Sequence, residues 1–231
     1  MKNVPNIITC LNLFAGCLAC VMSLMYANYL GAFFFIVLAA VFDFLDGFAA
    51  RLLKAYSPIG AQLDSLADVI SFGLAPGCMI YAFLINLTIN IPYGMGISIF
   101  AFIIPIFCAL RLAKFNIDTR QTSSFLGLPV PATGLFWAAL IPSIFPFAVD
   151  YPIITIISIL ILIIVFSLLM ISEIPMFSLK FKHYKWEGNQ WAYILIISAI
   201  ILVAVFQVLG VSFTICLYIL LSLIKNMKKT T

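Results

Sequence analysis

The sequence of 231 residues has very little charge: aspartate, glutamate, lysine and arginine together make up 9% of it. Hydrophobic residues make up 65%. A water-soluble globule of this size needs far more polar surface, so the composition excludes the soluble globular classes. The chain also lacks the strict alternation of apolar and polar residues that a lipid-facing barrel strand requires. The lipid bilayer must therefore be the solvent for most of the chain.

Features that usually divide a protein into domains are missing as well. No Gly/Ser-rich linker, low-complexity stretch or polar segment of domain size interrupts the chain, which predicts one membrane-embedded domain over residues 1–231. The apolar blocks are roughly 18 to 22 residues long, enough for a helix to cross a hydrocarbon layer about 30 Å thick. We therefore expect an all-α bundle of about eight transmembrane helices. The predicted spans are 7–26, 30–51, 62–86, 94–114, 131–148, 152–173, 191–208 and 211–225, with the last two separated at Gly210.

Signals for secretion and for disulfide or zinc chemistry are weak. The first apolar block has no A-x-A-like cleavage site, which favours a retained first helix over a signal peptide. All six cysteines fall inside apolar blocks, where they usually act as small packing residues. We expect reduced thiols at Cys10, Cys17, Cys20, Cys78, Cys108 and Cys216.

The basic residues follow a simple pattern along the chain. With eight spans and a cytoplasmic N-terminus, all twelve fall on one side of the membrane, whereas the opposite loops near residues 28, 90, 150 and 210 carry none. The twelve are Lys2, Arg51, Lys54, Arg111, Lys114, Arg120, Lys180, Lys182, Lys185, Lys225, Lys228 and Lys229. The positive-inside rule therefore predicts cytoplasmic N- and C-termini. The net charge of +4 reflects this orientation, and nothing indicates a nucleic-acid partner.

Four of the eight acidic residues fall at the adjoining ends of the second and third predicted spans. Asp43 and Asp46 lie near the end of the second span, and Asp64 and Asp68 lie near the start of the third. At about 100° per residue, each pair lies along one face of its helix. Because the two spans are antiparallel neighbours, the four carboxylates can converge at the cytoplasmic edge. Such a cluster is costly unless hard divalent cations neutralise it, which predicts a pair of Mg²⁺ or Mn²⁺ ions.

Small residues share the helix faces that carry the aspartates. Gly47 and Ala50 lie on the second span, and Gly60 lies on the same stripe as the aspartates of the third. Their lack of side-chain bulk leaves room for a large polar ligand of nucleotide size. Two other interpretations are open: close helix packing with acidic groups that face water, and an ion or proton transporter. The position of all four aspartates at one membrane face argues against a transporter.

The spacing of these residues forms a signature. The stretch from Asp43 to Asp68 resembles the pattern D-x2-D-G-x2-A-R-x8-G-x3-D-x3-D of the CDP-alcohol phosphotransferases, and every fixed position matches. The resemblance implies that Asp43, Asp46 and Asp64 hold metal, and that Asp68 both completes the second metal site and acts as general base. It implies contacts with the CDP-linked lipid from Gly47, Ala50, Arg51 and Gly60. Arg51 would steady either the pyrophosphate or the carboxylates.

The N-terminal stretch from Pro5 to Asn12 is similar to the start of the first helix in that family. The resemblance makes Asn6 and Thr9 further candidates for contact with the CDP-linked lipid. As a bare helix start with a capping Asn, the segment needs no function.

Three further stretches, 63–76, 111–116 and 125–132, resemble the corresponding segments of the bacterial membrane-spanning phosphatidylserine synthases, and the similarity extends through most of the chain. The resemblance implies CDP-diacylglycerol and L-serine as substrates, with an acceptor-binding segment at 111–132. Arg111 and Asn116 are the candidate serine contacts, because a guanidinium pairs with a carboxylate and an amide offers both a donor and an acceptor. We interpret four other residues as solvated or interfacial, without a role in the chemistry: Lys114, Arg120, Glu173 and His183.

The resemblance further implies a homodimer in the bacterial cytoplasmic membrane, with the active site facing the cytoplasm. A sister enzyme that uses glycerol 3-phosphate or an inositol phosphate is an alternative, because the aspartate signature is common to the family. A phosphorylated acceptor needs a larger basic cluster, and Arg111, Lys114 and Arg120 leave that possibility open.

Overall fold

The computed structural model describes residues 3–89, 92–118, 125–177, 186 and 189–230, and most of them lie in helices, as predicted. The α-helices are α1 (Val4–Tyr26), α2 (Tyr29–Leu52), α3 (Pro58–Asp68), α4 (Ala75–Thr88), α5 (Gly94–Ile99), α6 (Ile103–Ile117), α7 (Val130–Asp150), α8 (Pro152–Ile171), α9 (Gln190–Phe206) and α10 (Val208–Thr230). A π-helical segment, Val69–Leu74, joins α3 to α4, and a 3₁₀ turn, Phe100–Phe102, joins α5 to α6.

Each predicted span corresponds to one helical rod, with ends that differ by a few residues. Within the described residues, seven rods are long and apolar enough to cross a membrane: α1, α2, α3–α4, α5–α6, α7, α8 and α10. The remaining rod, α9, is apolar but has 17 residues, at the lower limit for a transmembrane helix. The expected all-α membrane bundle is confirmed, with α9 as its shortest rod.

The break between the last two helices lies at Gln207 and not at the predicted Gly210. Gln207 has a positive φ of 51°. Gly210 lies in the first turn of α10, where a Cβ atom would collide with the carbonyl oxygen of Leu202 in α9. The predicted break is wrong because this glycine allows two helices to approach closely and does not form the turn itself.

The rod from Pro58 to Thr88 is the centre of the bundle. Its apolar window is 67% buried, against 28–44% for the other candidate spans. Helices α1, α6 and α7 pack around it. A Cβ atom on Gly16 of α1 would lie 2.5 Å from Ser71 Oγ, and one on Gly73 would lie 2.9 Å from Cys108 Sγ of α6. These close contacts hold α1 and α6 against the rod just beyond the end of α3.

Local capping sets where α2 and α3 begin. Asn28 Oδ1 accepts a hydrogen bond from the Gly31 N–H at 2.8 Å, and Ser57 Oγ accepts one from the Gly60 N–H at 3.0 Å. Pro58 occupies the first turn of α3, where its missing N–H costs nothing. Because only the short loop 53–57 separates the two helices, the end of α2 lies beside the start of α3.

Two short strands form a clasp between distant parts of the chain. The clasp consists of β1 (Phe125–Leu126) paired antiparallel with β2 (Pro175–Met176). Next to it, the Gly127 N–H donates to Ile174 O at 2.9 Å, and Gly127 has a positive φ of 75°. On the other side, the Tyr218 hydroxyl of α10 donates to Phe177 O at 2.9 Å. The clasp therefore ties the start of α7 to the end of α8 and to α10.

The outer surfaces of the helices carry large apolar side chains. Examples that are more than half exposed are Phe14, Phe34, Ile153 and Ile161. In water such a surface would cause aggregation, whereas in a bilayer it faces acyl chains.

Candidate active site

A polar cleft of about 560 Å³ opens between the start of α1, the end of α2 and the start of α3. All six residues predicted to contact the CDP-linked lipid line it, together with three of the four aspartates: Asn6, Thr9, Gly47, Ala50, Arg51, Gly60, Asp43, Asp46 and Asp64. Sequence reasoning did not single out Tyr56 and Ser57, which also line the cleft from the loop before α3. The signature residues and the N-terminal stretch thus form one site.

Three of the aspartates form a compact cluster beside the cleft. Asp43, Asp64 and Asp68 each place a carboxylate oxygen within 4.8 Å of the others. Asp46 follows Asp43 on the next turn of α2, and it lines the cleft outside this cluster. Asp68 is 8% exposed and lies behind the cleft wall. The structure therefore brings together the four predicted carboxylates, with Asp68 as the innermost member of the cluster.

The protein compensates the charges of this cluster only in part, through the buried Arg111, which lies within electrostatic reach of Asp68. Asp46 Oδ2 and Asp68 Oδ1 are buried and have no hydrogen-bond partner. Within the described residues, no lysine or arginine forms an ion pair with any of the four carboxylates. Buried carboxylates without partners are costly, and oxygen-liganded divalent cations remove that cost. The residues present therefore fit the predicted Mg²⁺ or Mn²⁺ ions.

The two signature glycines have different surroundings. A Cβ atom on Gly47 would meet nothing within 4 Å, so any side chain there would extend into open space at the cleft wall. A Cβ atom on Gly60 would lie 2.9 Å from both Asn6 Oδ1 and Ser57 Oγ. Gly47 thus leaves the cleft open, whereas Gly60 also allows the start of α1 to approach α3.

Arg51 and Thr9 already have local partners. Arg51 is exposed, and its Nε donates to Gly47 O at 3.0 Å without an ion pair to the aspartates. The Thr9 hydroxyl donates to Pro5 O at 3.0 Å and is buried. Arg51 therefore lines the cleft and forms no ion pair with the carboxylate cluster.

The predicted acceptor residues Arg111 and Asn116 lie on α6, and neither of them lines the cleft. Arg111 is buried, its Nε has no hydrogen-bond partner, and it lies within electrostatic reach of Asp68. A cavity of about 10 Å³, the size of one water molecule, lies beside it between α6, β1 and the end of α8. Asn116 is exposed, and its Nδ2 donates to Ser65 Oγ at 3.0 Å. Arg120 and His183 lie outside the described residues.

Lys114 and Glu173 are exposed, in agreement with their interpretation as solvated or interfacial residues. Lys114 also lines the small cavity beside Arg111. All six cysteines are free, as predicted, including Cys17 and Cys20, which have a C-x-x-C spacing on α1.

Sequence reasoning gave no role to Asn12, which the structure buries completely beside Asp68. Its position is a continuation of a pattern: Asn6, Thr9 and Asn12 recur every three residues and share one face of α1. This three-residue spacing is the sequence feature that could have identified Asn12 as a site residue.

The chain matches the model of the CDP-alcohol phosphatidyltransferase family over residues 2–171. A CDP-diacylglycerol–serine O-phosphatidyltransferase from Bacillus subtilis is 39% identical over 135 residues, which cover 58% of this chain and 73% of that protein. A protein of the same name from Methanocaldococcus jannaschii is 33% identical over 198 residues, 84% of this chain and 80% of the relative. One from Helicobacter pylori is 37% identical over 137 residues, and there the match covers only about half (54%) of the relative. The signature cleft and these matches together show that the chain belongs to the CDP-alcohol phosphatidyltransferase family.

Proposed function

We propose that the protein transfers the phosphatidyl group of CDP-diacylglycerol to the hydroxyl of L-serine, giving phosphatidylserine and CMP. The observation that carries this proposal is the 560 Å³ cleft, which is lined by the family signature and ends at a carboxylate cluster. The Bacillus subtilis and Methanocaldococcus jannaschii relatives are each matched over more than two thirds of their length, and both are named CDP-diacylglycerol–serine O-phosphatidyltransferase. Their names support serine as the acceptor.

Asp43, Asp46, Asp64 and Asp68 would hold two divalent cations, Mg²⁺ or Mn²⁺. Such ions would neutralise the pyrophosphate and the CMP that leaves. The unpartnered buried oxygens of Asp46 and Asp68 support this assignment, because no described lysine or arginine forms an ion pair with either carboxylate.

The cleft residues bind and orient the CDP-linked lipid. Gly47 and Ala50 leave space along α2 for the nucleotide, and Asn6 offers its amide from α1. Of the two roles open to Arg51, the pyrophosphate is the better supported, because Arg51 forms no ion pair with the carboxylates. An arginine fork suits phosphate oxygens well.

Asp68 takes the proton from the serine hydroxyl. The serine oxygen then bonds to the phosphorus that carries diacylglycerol, and the bond from that phosphorus to the CMP oxygen breaks. The position of Asp68 supports this role, since it is buried next to the aspartates that line the cleft and lies within electrostatic reach of Arg111. An acceptor held by Arg111 would place its hydroxyl near Asp68, as the proposed proton transfer requires.

Arg111 pairs with the serine carboxylate, and Asn116 of the same helix is the second candidate contact, with its amide now bonded to Ser65 Oγ. The cavity beside Arg111 is about 10 Å³, so it must widen to admit even serine.

The cleft lies at the membrane face where α1 begins and α2 ends, the face to which the positive-inside rule assigns the cytoplasm. We propose a multi-pass protein of the bacterial cytoplasmic membrane, a homodimer, with both termini and the active site on the cytoplasmic side. The acyl tails of the substrate would stay in the bilayer while its headgroup enters the cleft.

The acceptor assignment is tested by CMP release from purified protein with CDP-diacylglycerol and Mg²⁺ or Mn²⁺. Serine, glycerol 3-phosphate and inositol phosphate are supplied separately. We expect release with serine. Release with only a phosphorylated acceptor would agree with the family assignment but contradict serine as the acceptor. No CMP release, together with ion flux across sealed vesicles, would favour a transporter.

A further inference from the structure

The side-chain amide of Asn12 is buried beside Asp68, and neither of its polar atoms meets the full geometry of a hydrogen bond. The side chain lies on α1 and is 0% exposed, and neither Oδ1 nor Nδ2 has a partner. Burial of an unpaired amide is unfavourable, because the group loses its hydrogen bonds to water without replacing them. A leucine of similar shape would avoid that cost, so packing alone does not account for an asparagine here.

The backbone around Asn12 is held firmly in place. The Ser71 hydroxyl donates to Asn12 O at 3.0 Å, and this bond is buried. One turn further along α1, Gly16 allows the helix to touch Ser71, since a Cβ atom there would lie 2.5 Å from Ser71 Oγ. Ser71 belongs to the π-helical segment that begins directly after Asp68. Segments of this kind recur at functional sites.

The neighbour of the Asn12 side chain is the innermost aspartate. Asn12 lies beside the Asp68 carboxyl, and Asp68 Oδ1 is itself buried without a partner. An amide N–H is a donor and an ionised carboxylate is an acceptor, so each group can satisfy the other.

We infer that Asn12 is a positioning residue that donates a hydrogen bond from Nδ2 to Asp68 and fixes which carboxylate oxygen faces the acceptor. This inference rests on the proposed role of Asp68 as the base. Groups that orient a catalytic carboxylate act by fixing its rotamer, and their loss lowers turnover more than substrate binding.

The test compares Asn12→Leu and Asn12→Ala with Ser23→Ala in the full chain reconstituted in bilayers. Leucine keeps the size of the side chain, and alanine serves if leucine does not fit. Ser23 is the matched control, because it is also fully buried on α1 and its hydroxyl bonds only within the helix, to Ala19 O at 2.6 Å and Cys20 O at 3.3 Å. Three quantities are measured: steady-state kinetics, the Tm, and the Asp68 infrared band, assigned by its loss in Asp68→Asn.

Both Asn12 variants should lose roughly 10–100-fold in kcat. Their KM for CDP-diacylglycerol should stay within about twofold of the wild-type value. The Tm of Asn12→Leu should not fall, and the Asp68 band should shift in the Asn12 variants and not in Ser23→Ala. An unshifted band, or wild-type kcat in a folded Asn12 variant, would overturn the inference. Absence of serine-dependent release by the wild type would remove the proposed function alone, since the infrared comparison needs no turnover.

Discussion

Carboxylates without cationic partners distinguish the site at the scale of single residues. Asp43, Asp64 and Asp68 lie close enough to share a ligand, and Asp46 and Asp68 each bury an oxygen with no partner. Such an arrangement is costly in an apo protein, whereas it suits the binding of hard cations and a polyanionic headgroup. These aspartates therefore favour ligand binding, although their burial without partners lowers the stability of the protein.

The role of Asp68 is tested by Asp68→Asn. The amide keeps the shape of the carboxyl but does not accept the serine proton, so turnover should fall by roughly 100- to 10,000-fold. The folded protein should still bind CDP-diacylglycerol, which equilibrium binding and the Tm would report. Asp150→Asn is the control, because Asp150 is exposed at the other end of the bundle. Full turnover by Asp68→Asn would exclude Asp68 as the base.

The position of the nucleotide is tested by Gly47→Leu. A leucine side chain would enter open space at the cleft wall, so the fold should tolerate it while CDP-diacylglycerol affinity falls at least about tenfold. Gly96→Leu is the matched control, because Gly96 also has nothing within 4 Å of its Cβ position but lies on α5. Equal affinities in the two variants would mean that the nucleotide binds elsewhere.

At the scale of elements, the clasp is the part of the fold that holds the acceptor side of the site together. Gly127 has a positive φ, and a Cβ atom there would collide with Met170 O. We expect Gly127→Ala to destabilise the protein by about 1–3 kcal/mol. We also expect a higher KM for serine with little change in the KM for CDP-diacylglycerol. Thermal unfolding and kinetics check this, with Gly96→Ala as the control, and an unchanged Tm would contradict the role of the clasp.

The sequence predicted the helices well because their apolar blocks match the bilayer thickness. It also predicted which residues meet in the cleft, since the periodicity of α2 and α3 places the signature residues on facing sides. Long-range features escaped prediction. In the clasp, Leu126 pairs with Pro175, and two helices separate these residues along the chain. No local sequence pattern predicts a contact between residues so far apart. Gly210 was assigned to a turn because glycine serves turns and close helix contacts alike.

At the scale of the whole molecule, the number of membrane crossings decides on which side the chain ends. If α9 crosses the membrane, the two termini lie on the same side, and if it does not, they lie on opposite sides. The positive-inside rule favours the first arrangement, because the basic residues of the C-terminal end then share a side with Arg51 and Arg111.

Reporter fusions in a bacterial host test this topology. A fluorescent protein fused after Thr231 should fluoresce, because it folds in the cytoplasm, and alkaline phosphatase inserted after Tyr93 should be active outside. An active phosphatase fused after Thr231 would contradict the cytoplasmic C-terminus and show that α9 does not cross.

The central claim is the transfer of a phosphatidyl group to serine, and labelled serine tests it most directly. Purified protein in CDP-diacylglycerol bilayers with Mg²⁺ or Mn²⁺ should convert isotopically labelled L-serine into extractable phosphatidylserine, with one CMP released for each serine incorporated. CMP release without label in the lipid, or label in the lipid without CMP, would contradict the account.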